Sequence, residues 1–299
     1  MLVTLHQADR LRHLWPALLL VASCVPAQAA AAPDPLEDTV QVPVVLDRPG
    51  LPVLRQNITV TIVHPAAHTR REPYAILLHG RPVGALAAAG LGRVQYPANA
   101  RYLADLGFAV LIPTRVGYGV SGGPDVEYSG ECAQKFYARA MVPVVSEVEQ
   151  LLAFARGLPF VDSDRGIVIG ESFGGIGAIA LSDGRIRSLR GTVNISGGDG
   201  GDPAHVDVPC RPDQMSATVA GYGAVNRLPT LWMYSANDRL WGPRYPRLWF
   251  DAFRSAGGRG QFVPLPPDKN NGHYIFNRNA PAWHPAFEAF VRRLGLPQP

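Results

Sequence analysis

The sequence predicts an α/β protein with a mostly parallel central sheet of about eight strands, helices on both faces, and a small loop-rich rim or cap. Three observations carry the prediction. Apolar runs of strand length recur eight times, and helix-compatible segments separate most of them. Most of the runs are uninterrupted rather than alternating, as strands covered on both faces are. One run closes in Gly170-Glu171-Ser172-Phe173-Gly174, a sharp turn that opens into small, helix-compatible residues.

Taken in chain order, residues 30–38 are rich in Ala and Pro and read as a flexible terminus ahead of one folded domain over residues 39–299. Val40 to Leu46 and Asn57 to Val63 are rich in β-branched residues around a Pro/Gly turn, so they predict an opening antiparallel pair. Tyr74 to His79, Phe108 to Pro113 and Gly166 to Gly170 predict buried strands, as do Gly191 to Ser196, Pro229 to Ser235 and Gln261 to Leu265. Among the helices the clearest holds Val144, Val145, Val148, Leu151, Leu152 and Ala155 at a 3.6-residue period, ended by Gly157 and Pro159. Tyr96 to Leu106, Gly174 to Ser182, Tyr245 to Ala256 and Ala282 to Leu294 are the others. Gly117 to Ala140 and Gly198 to Leu228 read as irregular. Both follow strands and so rise over the C-terminal sheet edge, where open α/β sheets bind ligands.

Composition bounds the function. An apolar fraction of 47% with 17% charged residues describes a globular chain with a large core. The formal charge of +4 does not indicate nucleic-acid binding, because lysine occurs only at Lys135 and Lys269 and the arginines are scattered. Residues 1–29 read as an export signal, with a basic flank at Arg10, Arg12 and His13, an apolar stretch from Leu14 to Val25, and an A-x-A site at Ala27-Gln28-Ala29. Val21-Ala22-Ser23-Cys24 offers a second reading, a lipoprotein signal ending before Cys24, and only lipidation there would bring the chain to a membrane. Either reading places the mature protein outside the cytoplasm, periplasmic or secreted, or anchored at the membrane. The two remaining cysteines, Cys132 and Cys210, lie one in each irregular stretch; they read as a disulfide, with two free thiols as the alternative. No spacing suggests a metal site, and no cofactor is expected.

The Gly170–Gly174 turn resembles the nucleophile elbow of the α/β-hydrolase superfamily. A serine held on so tight a turn projects its hydroxyl, and Gly170 and Gly174 remove side chains that would strike the strand and the helix. In that superfamily an acid and then a histidine follow the serine. Asp238, just past the strand ending at Ser235, and His273, past the next strand, match the order. Ser172 is then the expected nucleophile, His273 its general base and Asp238 the orienting acid. Asp199 and Asp202 are rival acids, and His64, His68, His205 and His284 rival histidines.

The resemblance is greatest to exported dienelactone hydrolase-like enzymes, through His79-Gly80, the elbow, the Pro113–Gly119 loop, Asp238 and Gly272-His273. It implies an oxyanion hole built from the amides of Phe173 and Arg81. A serine where dienelactone hydrolases carry cysteine points to ordinary carboxylic esters, with a small-molecule ester as partner. A prolyl-oligopeptidase-like peptidase, an envelope acyltransferase and a non-catalytic binding protein on the same scaffold are the alternatives. Tyr118, Tyr222, Trp241 and Tyr274 are candidate pocket aromatics, and the Arg81 side chain reads either as a solvated rim residue or as a selector of anionic substrates.

Overall fold

A computed structural model of the chain describes residues 34–48, 50–66, 70–202 and 205–298. The expected signal over residues 1–29, including Cys24, lies outside the described residues. Eight strands form one sheet: β1 (Leu36–Leu46), β2 (Leu54–His64), β3 (Glu72–Leu78), β4 (Ala109–Thr114), β5 (Val161–Glu171), β6 (Leu189–Ile195), β7 (Thr230–Ser235) and β8 (Gly260–Leu265). Their order is β1-β2-β4-β3-β5-β6-β7-β8. β1 and β2 form the antiparallel opening pair, and β2 runs antiparallel to β4. From β3 to β8 the strands are parallel.

The helices are α1 (Ala85–Ala89), α2 (Pro97–Asp105), α3 (Tyr137–Ala155), α4 (Phe173–Ala180), α5 (Pro212–Val225), α6 (Tyr245–Ser255), α7 (Ile275–Arg278) and α8 (Ala280–Arg293). Strand side chains alternate between two cores, as the period of two requires. In β3, Tyr74, Ile76 and Leu78 pack with α3, α4 and α6, among them Val144, Ile176 and Trp249. Ala75 and Leu77 pack on the other face with Leu103 of α2 and Trp283, Phe287 and Val291 of α8. All seven β3 residues are buried, which is why the run is apolar throughout except at its first residue, Glu72.

Three differences from the sequence reading have physical causes. Pairing begins at Leu36, opposite His64, so the strand takes in the last residues of the segment expected to be flexible. Residues 212–225, expected to be irregular, form α5. Its small Ala, Gly, Ser and Thr residues blur the apolar stripe, but Met215, Val219 and Gly223 recur every four residues on the buried face. A Cβ on Gly223 would sit 2.2 Å from the carbonyl oxygen of Phe253, so α5 approaches α6 at backbone contact. α3 also starts earlier, at Tyr137. What remains as rim is the stretch before α3 and the stretch before α5, and a Cys132–Cys210 disulfide joins them with Cα atoms 5.0 Å apart.

The topology selects the site. From β3 the chain steps to β4 on one side and then crosses back to β5 on the other. At such a switch point the loops beyond the two strand ends diverge and leave a crevice. Leu78 lies opposite Gly170 in the register, so the loop after β3 and the turn after β5 leave the sheet side by side.

Candidate active site

Ser172 occupies the single position between β5 and α4 with φ 54° and ψ −123°, a region costly for a residue with a Cβ. The turn is as tight as the two glycines imply. A Cβ on Gly170 would lie 2.0 Å from the carbonyl oxygen of Gly174, and one on Gly174 2.3 Å from that of Leu78. No other residue type fits either place, since both obstacles are backbone.

His273 stands in a single helical turn over Gly272–Tyr274, and its Nε2 lies 3.1 Å from Ser172 Oγ. Its Nδ1 lies 2.9 Å from Asp238 Oδ2. A carboxylate only accepts, so Nδ1 carries the proton and Nε2 offers its lone pair to the serine hydroxyl. Asp238 Oδ1 accepts from the amides of Leu240 (2.9 Å) and Trp241 (3.2 Å), which fixes the plane of the carboxyl group. The Asn271 side chain accepts from the amides of His273 (3.0 Å) and Arg239 (3.1 Å), tying the loop of the imidazole to the loop of the acid. Both His273 and Asp238 are buried.

Opposite the imidazole runs the loop of His79, Gly80 and Arg81. His79 Nε2 accepts from the amide of Arg115 (3.2 Å), so Nδ1 is the protonated nitrogen and donates to the carbonyl of Gly80 (2.7 Å). Burial, with the Arg115 guanidinium beside it, pushes the His79 pKa well below the ordinary imidazole range. The ring therefore stays neutral and keeps this polarity. The peptide bond is trans, so turning the Gly80 carbonyl toward His79 turns the Arg81 N–H the opposite way. Arg115 secures the loop a second time: Nη1 donates to the His79 carbonyl (2.8 Å), while Nε and Nη2 form a two-pronged pair with Glu127 (2.6 and 3.1 Å). Arg115 and Glu127 are wholly buried. Phe173 opens α4, so its N–H has no partner within the helix.

The rival residues fall elsewhere. Asp199 follows β6, but it is Asp238 that meets His273. Asp199 accepts from the amide of Gly200 (2.6 Å) through Oδ1, and its Oδ2 has no hydrogen-bond partner. His205 is exposed and pairs with Asp202 (2.6 Å), His284 stacks on Tyr102, and His64 stacks on Phe160. His68 lies outside the described residues. The Arg81 side chain is neither a free rim residue nor a free cation: it pairs with Asp125 and donates to Tyr118 Oη (2.9 Å). Among the described residues Glu171 forms no ion pair with an arginine. It accepts from Tyr96 Oη (2.9 Å) and Asn277 (3.2 Å), and burial raises its pKa. Of the candidate aromatics, Tyr274 and Trp241 line cavities at the serine, whereas Tyr118 is buried behind the loop on Glu127 and Tyr222 lies on α5. The sequence reading named His79 with Gly80 as part of the resemblance but missed Asn271 and Glu127, whose contacts carry no visible signal in the sequence.

Two cavities meet at Ser172. One, of about 590 Å³, has Leu91, Val94, Tyr96, Glu171, His273 and Tyr274 in its walls. The other, of about 390 Å³, is bounded by Phe173, Ser129, Cys132, Lys135, Asp199 and Trp241.

Eight strands in this order superpose on solved structures across most of the chain. The protein has the α/β-hydrolase fold. The acylaminoacyl peptidase of Pyrococcus horikoshii superposes with a TM-score of 0.58 at 12% identity, over 88% of this chain and 42% of the peptidase. This chain thus spans less than half of that enzyme. A putative dienelactone hydrolase from Klebsiella pneumoniae gives 0.54 at 16% identity, over 87% of this chain and 98% of the other. An esterase of Pyrococcus furiosus gives 0.57 at 15%, over 87% and 91%. No protein-family model matches the chain, and no curated protein matches it in sequence.

Proposed function

We propose that the protein is an exported serine hydrolase that cleaves carboxylic esters through an acyl-enzyme. The observation that carries the reading is the unbroken line from Ser172 Oγ through the His273 imidazole to Asp238, with the proton on Nδ1. In that arrangement His273 takes the serine proton as Oγ attacks the carbonyl carbon and then gives it to the departing alcohol. Asp238 holds the imidazole's orientation and stabilises its transient positive charge. The amides of Phe173 and Arg81 supply the oxyanion donors, and the His79–Gly80 hydrogen bond aims the second of them. Neighbours of this fold include an acetyl xylan esterase from Paenibacillus and the esterase above, which is in keeping with ester cleavage. Export is supported by the Cys132–Cys210 disulfide, since such bonds persist in oxidising compartments.

The test is fluorophosphonate labelling of the purified protein and of its Ser172→Ala variant, followed by turnover of short p-nitrophenyl esters. Labelling is expected in the wild type alone. Ser172→Ala and His273→Ala should each lower turnover by roughly 10⁴–10⁶-fold. Normal turnover in Ser172→Ala would end the proposal.

A further inference from the structure

The two cavities at Ser172 are not equivalent, and the reaction decides which half of an ester each can hold. This inference rests on the serine-hydrolase reading. When Oγ adds to the carbonyl carbon, its proton passes to His273 Nε2, and the carbon then carries four groups. These are Oγ, the oxyanion facing the Phe173 and Arg81 amides, the acyl chain and the ester oxygen. When the bond to the ester oxygen breaks, that oxygen must receive the proton held on Nε2. The alcohol half therefore leaves on the histidine side. His273 walls the larger cavity and is absent from the walls of the smaller, which is bounded instead by Phe173.

We infer that the larger cavity receives the alcohol and the smaller one the acyl group, so that the preferred substrates are short-chain acyl esters of large apolar alcohols. The linings fit this division. Leu91, Val94, Tyr96 and Tyr274 give the larger cavity an apolar wall on which an alkyl chain or ring loses water favourably. The smaller cavity holds Lys135, which donates to the Gly130 carbonyl (2.5 Å), and Asp199 with its unpartnered Oδ2. A long acyl chain laid there would strip water from both charged groups and return no hydrogen bond. The disulfide also fixes that wall, because Cys132 belongs to it and Cys210 is tied to the Gly200 carbonyl through its amide (2.8 Å). The smaller cavity is thus held at its present size.

Hexyl acetate and ethyl hexanoate test the assignment, because they are isomers that place the same chain on opposite sides of the ester. Hexyl acetate is expected to show the higher kcat/KM by about tenfold or more, the scale on which methylenes in a matched pocket discriminate. Equal values, or a preference for ethyl hexanoate, overturn the assignment. Leu91→Trp, which fills the larger cavity, should collapse the ratio, and an unchanged ratio in a variant that still labels with fluorophosphonate also overturns it. If neither isomer is cleaved, the substrate class is wrong. Labelling at Ser172 then shows separately whether the serine-hydrolase reading survives.

Discussion

Glu147 should leave the protein less stable at pH 9 than at pH 6, and a single isosteric change should remove the difference. This residue sits on the buried face of α3, where Oε2 accepts from the Val116 amide (3.3 Å) and Oε1 has no partner. Burial, reinforced by the neighbouring Glu127 carboxylate, raises its pKa from 4.5 to about 8, although Arg115 pulls the other way. A carboxyl group with a raised folded pKa binds its proton more tightly in the native state than in the unfolded one. Its contribution is therefore fully present below the unfolded value near 4.5 and is lost as pH rises through about 8. At ~1.36 kcal/mol for each tenfold change in proton concentration, most of the span between pH 6 and 9 counts. The loss over that span comes to about 3 kcal/mol, or a fall in Tm of about 8 °C in a domain of this size. Glu147→Gln keeps an oxygen for the Val116 amide and cannot ionise. Thermal melts of both proteins at pH 6 and 9 should show the wild type losing more, by about that difference. Parallel losses would refute the burial argument.

Two further outcomes concern the rim and the acid. The Cys132–Cys210 bridge closes a loop of 78 residues, so replacing both cysteines with alanine should cost about 4.5 kcal/mol by the loop-entropy relation, read from urea unfolding; a cost below about 1 kcal/mol would mean that packing alone fixes the rim. Asp238→Asn should lower kcat about 10⁴-fold by spoiling the tautomer of His273, while Asp199→Asn, which has no contact with the imidazole, should lower it far less. The reverse ranking would transfer the acid's role to Asp199.

Much of this architecture was legible because the parallel strands are buried on both faces. A run such as Tyr74 to Leu78 can afford no polar residue, so its apolar signal is continuous and its limits nearly visible. The three residues of the serine line were legible for a different reason. Each stands just past a strand end, where the fold allows side chains to converge, and their order along the chain narrowed the choice. α5 was not legible, because close helix packing called for small residues and so erased the apolar stripe that reveals a helix. The support of the His79 loop was hidden as well. Arg115, named in the resemblance only through its loop, meets Glu127 12 residues on at zero exposure, and nothing local in the sequence distinguishes Glu127 from a surface charge. Asn271 is likewise visible as a turn residue only; its two amide contacts depend on where the acid's loop arrives.

The separation of the serine from its base has a consequence for the history of each molecule. His273 lies 101 residues beyond Ser172 and must cross β6, β7 and β8 to reach it. A nascent chain can therefore complete the elbow, and even dock it against β3, while the serine hydroxyl still lacks a proton acceptor. On the proposed function, the serine becomes competent only after residue 273 has been made and β8, the last parallel strand, has joined the sheet. Contacts so far apart in sequence form late in folding. If the proposed function holds, activation of the serine reports that folding is complete, and fluorophosphonate reactivity can be followed as a clock for the final docking step.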